Sequence, residues 1–303
     1  MSSSANFYHV DAFTTQQFTG NPAGVLFLDS KDQFEDDDLL HKIAKELNMP
    51  ATAFLFFKSS NDTSITYEIK WFSAIRRIPI CGHGTLAASH VIFQQNPGIH
   101  LIEYDAGPAG PLQASRTVDD LVQLDFPACH LVGMNEIGET LKPDVDLNKI
   151  LASALNDENV RFEYIGRGDR GGYIDMIVVE LPENYPLEQA TIDCDVLTKL
   201  FPVIRGVSFT TWASHDENFH IHSRCINSVP GLGEDYVTGS SHCMIAPHWL
   251  KKTGTLAGDR DLKAAQVSAR RGSMLINWKE EEMRCLIRSS AVTFSTGTIA
   301  LHK

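Results

Sequence analysis

The chain has 303 residues and six cysteines, Cys81, Cys129, Cys194, Cys225, Cys243 and Cys285, with no C-x-x-C pair among them. That spacing argues against a zinc knuckle and fits reduced thiols better than a disulfide frame. No apolar run approaches the roughly 20 residues that cross a bilayer. The start, Met1-Ser2-Ser3-Ser4-Ala5-Asn6, lacks a basic segment followed by an apolar stretch. No secretory signal is therefore visible, and a cytoplasmic location is expected. Positive charge is scarce: 26 Lys and Arg stand against 38 Asp and Glu, a formal net charge of -12. This excess opposes binding to nucleic acid or to an anionic membrane, so any anionic ligand must be gripped locally. Rossmann and phosphate-loop glycine patterns are missing, as is His-Glu-x-x-His, so neither a cofactor nor a metal is expected.

With 43% hydrophobic and 21% charged residues the chain can bury one large core or two ordinary ones. Two units of roughly 150 residues are the natural division. The pattern predicts strands at Tyr8–Phe13, Ala23–Leu28, Ala53–Phe57, Ile65–Phe72, Leu101–Tyr104 and Leu121–Phe126. Between them, Leu39, Leu40, Ile43, Ala44 and Leu47 recur at helical spacing behind Asp36, Asp37 and Asp38, and Asn48 and Pro50 stop that helix. Ile78-Pro79-Ile80-Cys81-Gly82-His83-Gly84-Thr85 passes a glycine turn into Leu86–Phe93, a run apolar nearly all round and so a buried helix.

The second half repeats this order: Gly171-Gly172, a strand Ile174–Val179, a helix Asp195–Leu200, then Val237-Thr238-Gly239-Ser240-Ser241 opening a small-residue helix His242–Trp249. Matching Gly82 to Gly239 gives an offset of 239 − 82 = 157, and matching Val25 to Met176 gives 176 − 25 = 151. Such offsets suggest a duplication. Each repeat brings a glycine turn to a buried helix start, where unpaired N–H groups and the helix dipole favour a carboxylate. The expectation is one site in a cleft between the two starts. Gly82, Gly84, Thr238, Gly239 and Ser240 would grip the ligand, and His83, Asp235 and Cys81 would supply proton transfer. Taken singly, Cys81 reads as core filler, and His83 and Asp235 as caps or turn formers.

Val10-Asp11-Ala12-Phe13, Phe18-Thr19-Gly20-Asn21-Pro22-Ala23-Gly24, Cys81-Gly82-His83, Glu234-Asp235 to Gly239-Ser240, and Gly297-Thr298 run the length of the chain. Together they resemble the phenazine-biosynthesis-like (PhzF-like) isomerases, relatives of diaminopimelate epimerase and proline racemase. The resemblance implies an α+β fold of two pseudo-symmetric lobes, each an antiparallel sheet or barrel wrapped round a central helix. It places the lobes at 1–127 and 128–288, with a C-terminal strand, 289–303, returning to the first. It adds Asn21 to the substrate-binding residues, implies cofactor-independent chemistry on a small carboxylate-bearing metabolite, and leaves a homodimer open, since relatives often dimerise.

The family glutamate that moves the proton belongs to a Ser-Glu-Thr-x-Phe segment, which here reads Pro50-Ala51-Thr52-Ala53-Phe54. Ala51 has no proton to exchange, and losing a general base typically costs about 100- to 10,000-fold. Glu46 lies nearby but reads as a boundary residue of its helix. Arg77 stands where relatives carry an acid, and Arg76-Arg77 reads as a solvated turn rather than an extension of the anion site. Two functions follow: an isomerase working through His83 and Asp235 with Cys81, or a binding or regulatory protein that kept the fold and lost the chemistry.

Overall fold

The computed structural model describes residues 3–133, 145–254 and 261–301. The chain divides into two compact units, one of Met1–Phe126 with Leu286–Lys303 and one of Pro127–Cys285.

In the first unit β1 (Ser3–Ala12) ends where Phe13 turns left-handed at φ 64°. Gly20, at φ 68°, then closes the turn; a Cβ there would lie 2.2 Å from the carbonyl oxygen of Ala12, so only glycine fits. β2 (Asn21–Leu28) then begins two residues ahead of the expected strand start at Ala23. A single helical turn, α1 (Lys31–Glu35), was not evident in the sequence pattern. The expected helix follows as α2 (Asp37–Leu47): the Asp36 carboxylate accepts the Leu39 N–H at 2.9 Å, and Asn48 ends the helix in the left-handed region.

Next come β3 (Ala51–Ser60), β4 (Ser64–Phe72) and the two-residue β5 (Arg77–Ile78), then α3 (Gly82–Gln95). β6 (Leu101–Asp105), β7 (Pro111–Arg116) and β8 (Val122–Pro127) complete the run. β7, which follows Gly107 and Gly110, both at positive φ, was not among the expected strands. The C-terminal strand Ala291–Leu301 pairs antiparallel with β1, and β1 pairs antiparallel with β2. β2 is parallel to β3, β3 antiparallel to β4, β4 parallel to β6, and β6–β7–β8 are antiparallel. One face of β2–β4 sends Leu26, Leu28, Phe54 and Phe72 into a core with Phe34, Leu40 and Ile43 of α1 and α2. α3 packs on β1, β2 and β3 and is buried from Gly82 through Ser89.

The second unit contains β9 (Leu131–Gly133), α4 (Leu147–Ala154), β10 (Tyr164–Gly168), β11 (Met176–Glu180), α5 (Cys194–Leu197), β12 (Gly206–Trp212) and β13 (Ile221–Asn227). β14 (Glu234–Asp235), α6 (Gly239–Thr253), β15 (Leu262–Gln266) and β16 (Gly272–Lys279) follow, and β17 (Arg284–Ser289) carries the chain back to the first unit. β9–β10–β11 are antiparallel, β11 is parallel to β12, β12 antiparallel to β13, β13 parallel to β15, and β15 antiparallel to β16. These seven strands repeat the succession of the C-terminal strand, β1, β2, β3, β4, β6 and β7 in the first unit. In each, the long buried helix is the crossover between two parallel strands: α3 between β4 and β6, α6 between β13 and β15. A parallel pair needs such a crossover, and a helix supplies it.

α6 contains Pro247, which leaves the carbonyl of Cys243 without its helical donor. The Cys129 N–H fills the vacancy at 3.3 Å, so the proline is accommodated where another segment of the same unit lies against the helix. No described helix is long and apolar enough to cross a membrane.

Each crossover helix holds a histidine that burial drives to a pKa of about 4, His90 in α3 and His242 in α6. Because the folded value lies below the unfolded one, the stabilisation is complete above about pH 6.5 and is lost as pH falls toward 4. Urea unfolding followed by circular dichroism should therefore show stability declining from pH 6.5 to 4.5. His90→Leu, which removes a buried ring nitrogen lacking a partner, should flatten that decline and not steepen it.

Candidate active site

α3 opens with Cys81 in extended conformation, φ −139° and ψ 107°, so its side chain folds back over the first turn. Its Sγ accepts the Gly84 N–H at 3.4 Å and lies 3.5 Å from His83 Nδ1. Cys81 is thus the cap of the helix, the part the sequence had offered to His83, and more than core filler. The pair is only 4% and 6% exposed. A sulfur at the positive end of a helix, facing both an amide N–H and an imidazole, is arranged to exchange a proton with that imidazole.

Ala51 is the first residue of β3 and is fully buried. Phe54 belongs to the core under α1 and α2, so by strand alternation Thr52 shares its face while Ala51 and Ala53 take the opposite one. Ala53 pairs across the ladder with Trp71, whose indole Cδ1 lies 2.9 Å from where a Cβ on Gly84 would sit. Ala51, Ala53 and Trp71 therefore face the first turn of α3. Asn21, also fully buried, lies two residues before Ala23, the β2 partner of Ala51.

At the start of α6, β14 pairs with β13 so that Asp235 stands opposite Cys225. The Asp235 carboxylate accepts the Thr238 hydroxyl. Gln266 Oε1 accepts the Thr238 N–H at 2.8 Å, and Gln266 Nε2 donates to the Asp235 carbonyl at 2.7 Å. With its hydroxyl turned to Asp235, Thr238 makes no side-chain cap on α6, which leaves the N–H groups of Ser240 and Ser241 without that cap. One turn along, the Thr238 carbonyl can only accept, so His242 carries its proton on Nδ1 and donates at 2.9 Å, while bare Nε2 accepts the Ser223 hydroxyl at 3.0 Å. Glu234 is held apart by Arg224, whose Nε and Nη2 each donate at 2.7 Å.

Within the first unit, then, Cys81, Gly82, His83 and Gly84 form one helix start with Ala51 on the sheet face beneath it. Within the second, Asp235, Thr238, Gly239 and Ser240 form another. Arg77 is taken up by Asp37 of α2 at 2.8 Å, and Glu46 is exposed on α2. Arg271 pairs with Glu188 at 2.7 Å, and the Arg270 guanidinium lies 5.5 Å from the Tyr236 ring centre. Burial pushes the Cys129 and Cys225 thiols up to about 12 and about 11. None of the six cysteines forms a disulfide. Among the described residues no three or more His, Cys, Asp or Glu side chains are grouped to hold a metal.

Sequence reasoning missed Trp71, Gln266 and His242. His242 carried a readable signal, a histidine four residues beyond Thr238 on the same helix. Gln266 carried none, since it arrives from β15, 28 residues away from its partner Thr238. Gln266 is fully buried and satisfies two backbone groups. Gln266→Leu should therefore cost about 2 kcal/mol or more in urea unfolding, because a buried N–H and C=O lose their partners. A cost indistinguishable from zero would show that the Asp235–Thr238 turn holds without it.

A family model described as phenazine biosynthesis-like protein matches residues 10–297. A Pseudomonas aeruginosa protein named as an isomerase is 33% identical over 297 residues, covering 97% of this chain and 98% of that one. Among solved structures, a PhzF family protein of Enterococcus faecalis superposes with a TM-score of 0.77 at 25% identity, covering 99% of this chain and 100% of that one. A hydroxyproline epimerase of Agrobacterium vitis, 9% identical, shares the fold with a TM-score of 0.59, covering 99% of this chain and 92% of that one. The fold is the mixed α+β fold of these two solved proteins, and the chain belongs to the phenazine biosynthesis-like, or PhzF, family.

Proposed function

We propose that this protein is an isomerase that moves a proton on a small carboxylate-bearing molecule without a metal or other cofactor, and that Cys81 takes over the proton-abstracting part left vacant by Ala51. The observation that carries this reading is the Cys81–His83 pair, 3.5 Å apart at the start of a buried helix. A thiolate there would break a C–H bond next to the substrate carboxylate and become a thiol. The electron pair would be held by the conjugated carboxylate, the His83 imidazolium would return a proton to another carbon or face, and the Cys81 thiol would then pass its proton back to His83. One proton leaves and one arrives, so the step is an isomerisation with no change in oxidation state. The Gly82 N–H at the start of α3 is the donor proposed to hold the carboxylate, with Gly84, whose own N–H is taken by Cys81 Sγ, lining the place. Asn21 is assigned to the same binding set.

A second reading is favoured by one feature, the missing carboxylate at Ala51: a binding or regulatory protein that recognises the same molecule without turnover. The two separate in heavy water. The isomerase should exchange a substrate C–H for deuterium with at least one member of a broad panel of amino and hydroxy acids, read by proton NMR. Cys81→Ala and His83→Asn should each slow that exchange by about 100-fold or more. If no member exchanges in the native protein while Ala51→Glu gains exchange, the isomerase reading is lost to the binding one. Loss of a native exchange activity on Ala51→Glu would eliminate the binding reading instead.

A further inference from the structure

The Trp71 side chain is 2% exposed, and its Nε1–H has no hydrogen-bond partner. A buried donor left unpaired costs about 1–3 kcal/mol, so a fold retains one only where something else offsets the cost. Its position is specific. Cδ1 and Nε1 lie 2.9 and 3.5 Å from the point a Gly84 Cβ would occupy, and Cys81 Sγ lies 3.2 Å from that same point. The indole edge therefore reaches the first turn of α3, beside the thiol. On the sheet its cross-strand partner is Ala53, with Ala51 the next residue on the same face. Both present only methyl groups, which cannot accept.

The second unit supplies an internal control. By ladder position Trp71 in β4 corresponds to Cys225 in β13: Trp71 pairs with Ala53 and Ile78, and Cys225 pairs with Ser208 and Asp235. There the polar group under the helix start is satisfied from within, since the Cys225 thiol donates to Ser208 Oγ at 3.3 Å. The matching place in the first unit holds Ala53. A donor sits under both helix starts, and only one of them is given an acceptor by the chain.

We propose that the Trp71 indole N–H is a ligand-binding group: it donates to an oxygen of a bound carboxylate or carbonyl at the start of α3, beside Ala51, Cys81 and Gly84. Indole nitrogen donates and never accepts, so this corner selects an acceptor oxygen and rejects an amine or a hydroxyl offered as a donor. The small side chain at position 51 is then part of the binding chemistry, since the acceptor this corner requires comes from the ligand. The proposal rests on the functional reading above, in which α3 holds a carboxylate, and adds to it the group that orients the bound oxygen.

The test uses the full chain with ¹⁵N-labelled tryptophan and backbone. Its four tryptophans give four indole resonances, and Trp71→Phe identifies the one of interest. Acetate, malonate, L-proline and trans-4-hydroxy-L-proline are titrated in turn. The expected result is a downfield shift of the Trp71 indole proton that saturates together with the amide shifts of residues 82–84. Trp71→Phe should raise the Kd of the same probe by about tenfold, the loss of a hydrogen bond to a charged group, while the amides of residues 82–84 still respond. Amide shifts at 82–84 with a motionless Trp71 indole, or an unchanged Kd in the variant, overturn the proposal and leave the carboxylate reading standing. An indole shift already present without probe and exchanging with solvent, the mark of a bridging water only, also overturns it. No response at 82–84 to any probe overturns the carboxylate reading itself. The native-protein titration decides the matter even if Trp71→Phe folds poorly.

Discussion

A crossover helix buried at its own N-terminus is the constraint on which each unit is built. The first N–H groups of any helix lack partners within it, and at the surface water supplies them. α3 and α6 are buried from their first residues, so the protein must bring partners or leave donors open. At α3 it brings a soft one, the Cys81 sulfur. At α6 it withholds one, because Thr238 spends its hydroxyl on Asp235. Reactive groups and open donors therefore collect at the same places for a reason that precedes function. A buried helix start is already polarised, and selection has only to choose which side chains face it.

Rigidity around these starts comes from contacts distant in sequence. Gln266 fastens the Asp235–Thr238 turn from β15, and the Cys129 N–H fills the gap that Pro247 opens in α6. Farther along α6, Glu180 takes His248 at 2.6 Å together with Lys252. Burial alone would raise the Glu180 carboxyl, yet these two partners hold it below the ordinary glutamate range. Such anchoring fixes the direction of the helix axis, and with it the aim of the N–H groups at the other end.

Much of this architecture was legible in the chain. The stripe Leu40, Ile43, Ala44 behind three aspartates could only be an amphipathic helix, and the apolar run after Gly82 could only be a buried one. The strands of the second unit were harder. β12 is almost wholly buried and β10 contains two glycines, so neither displays the alternation that marks a half-exposed strand. The assignment of Cys81 as cap was out of reach, since cysteine is a rare cap and its rotamer depends on the backbone angle at that position.

The sequence by itself determined the family and the two glycine turns that open the crossover helices. These are properties of residue type and local order, which short-range sterics and capping preferences convert directly into structure. Only the tertiary structure decided that Trp71 lies over Gly84 without an acceptor, that Arg77 is bound to Asp37, and that Gln266 closes the second turn. Those outcomes depend on strand register, and a shift of one residue would send each side chain to the opposite face. Register is set by the burial of a whole sheet face, a collective quantity that no local run of residues contains.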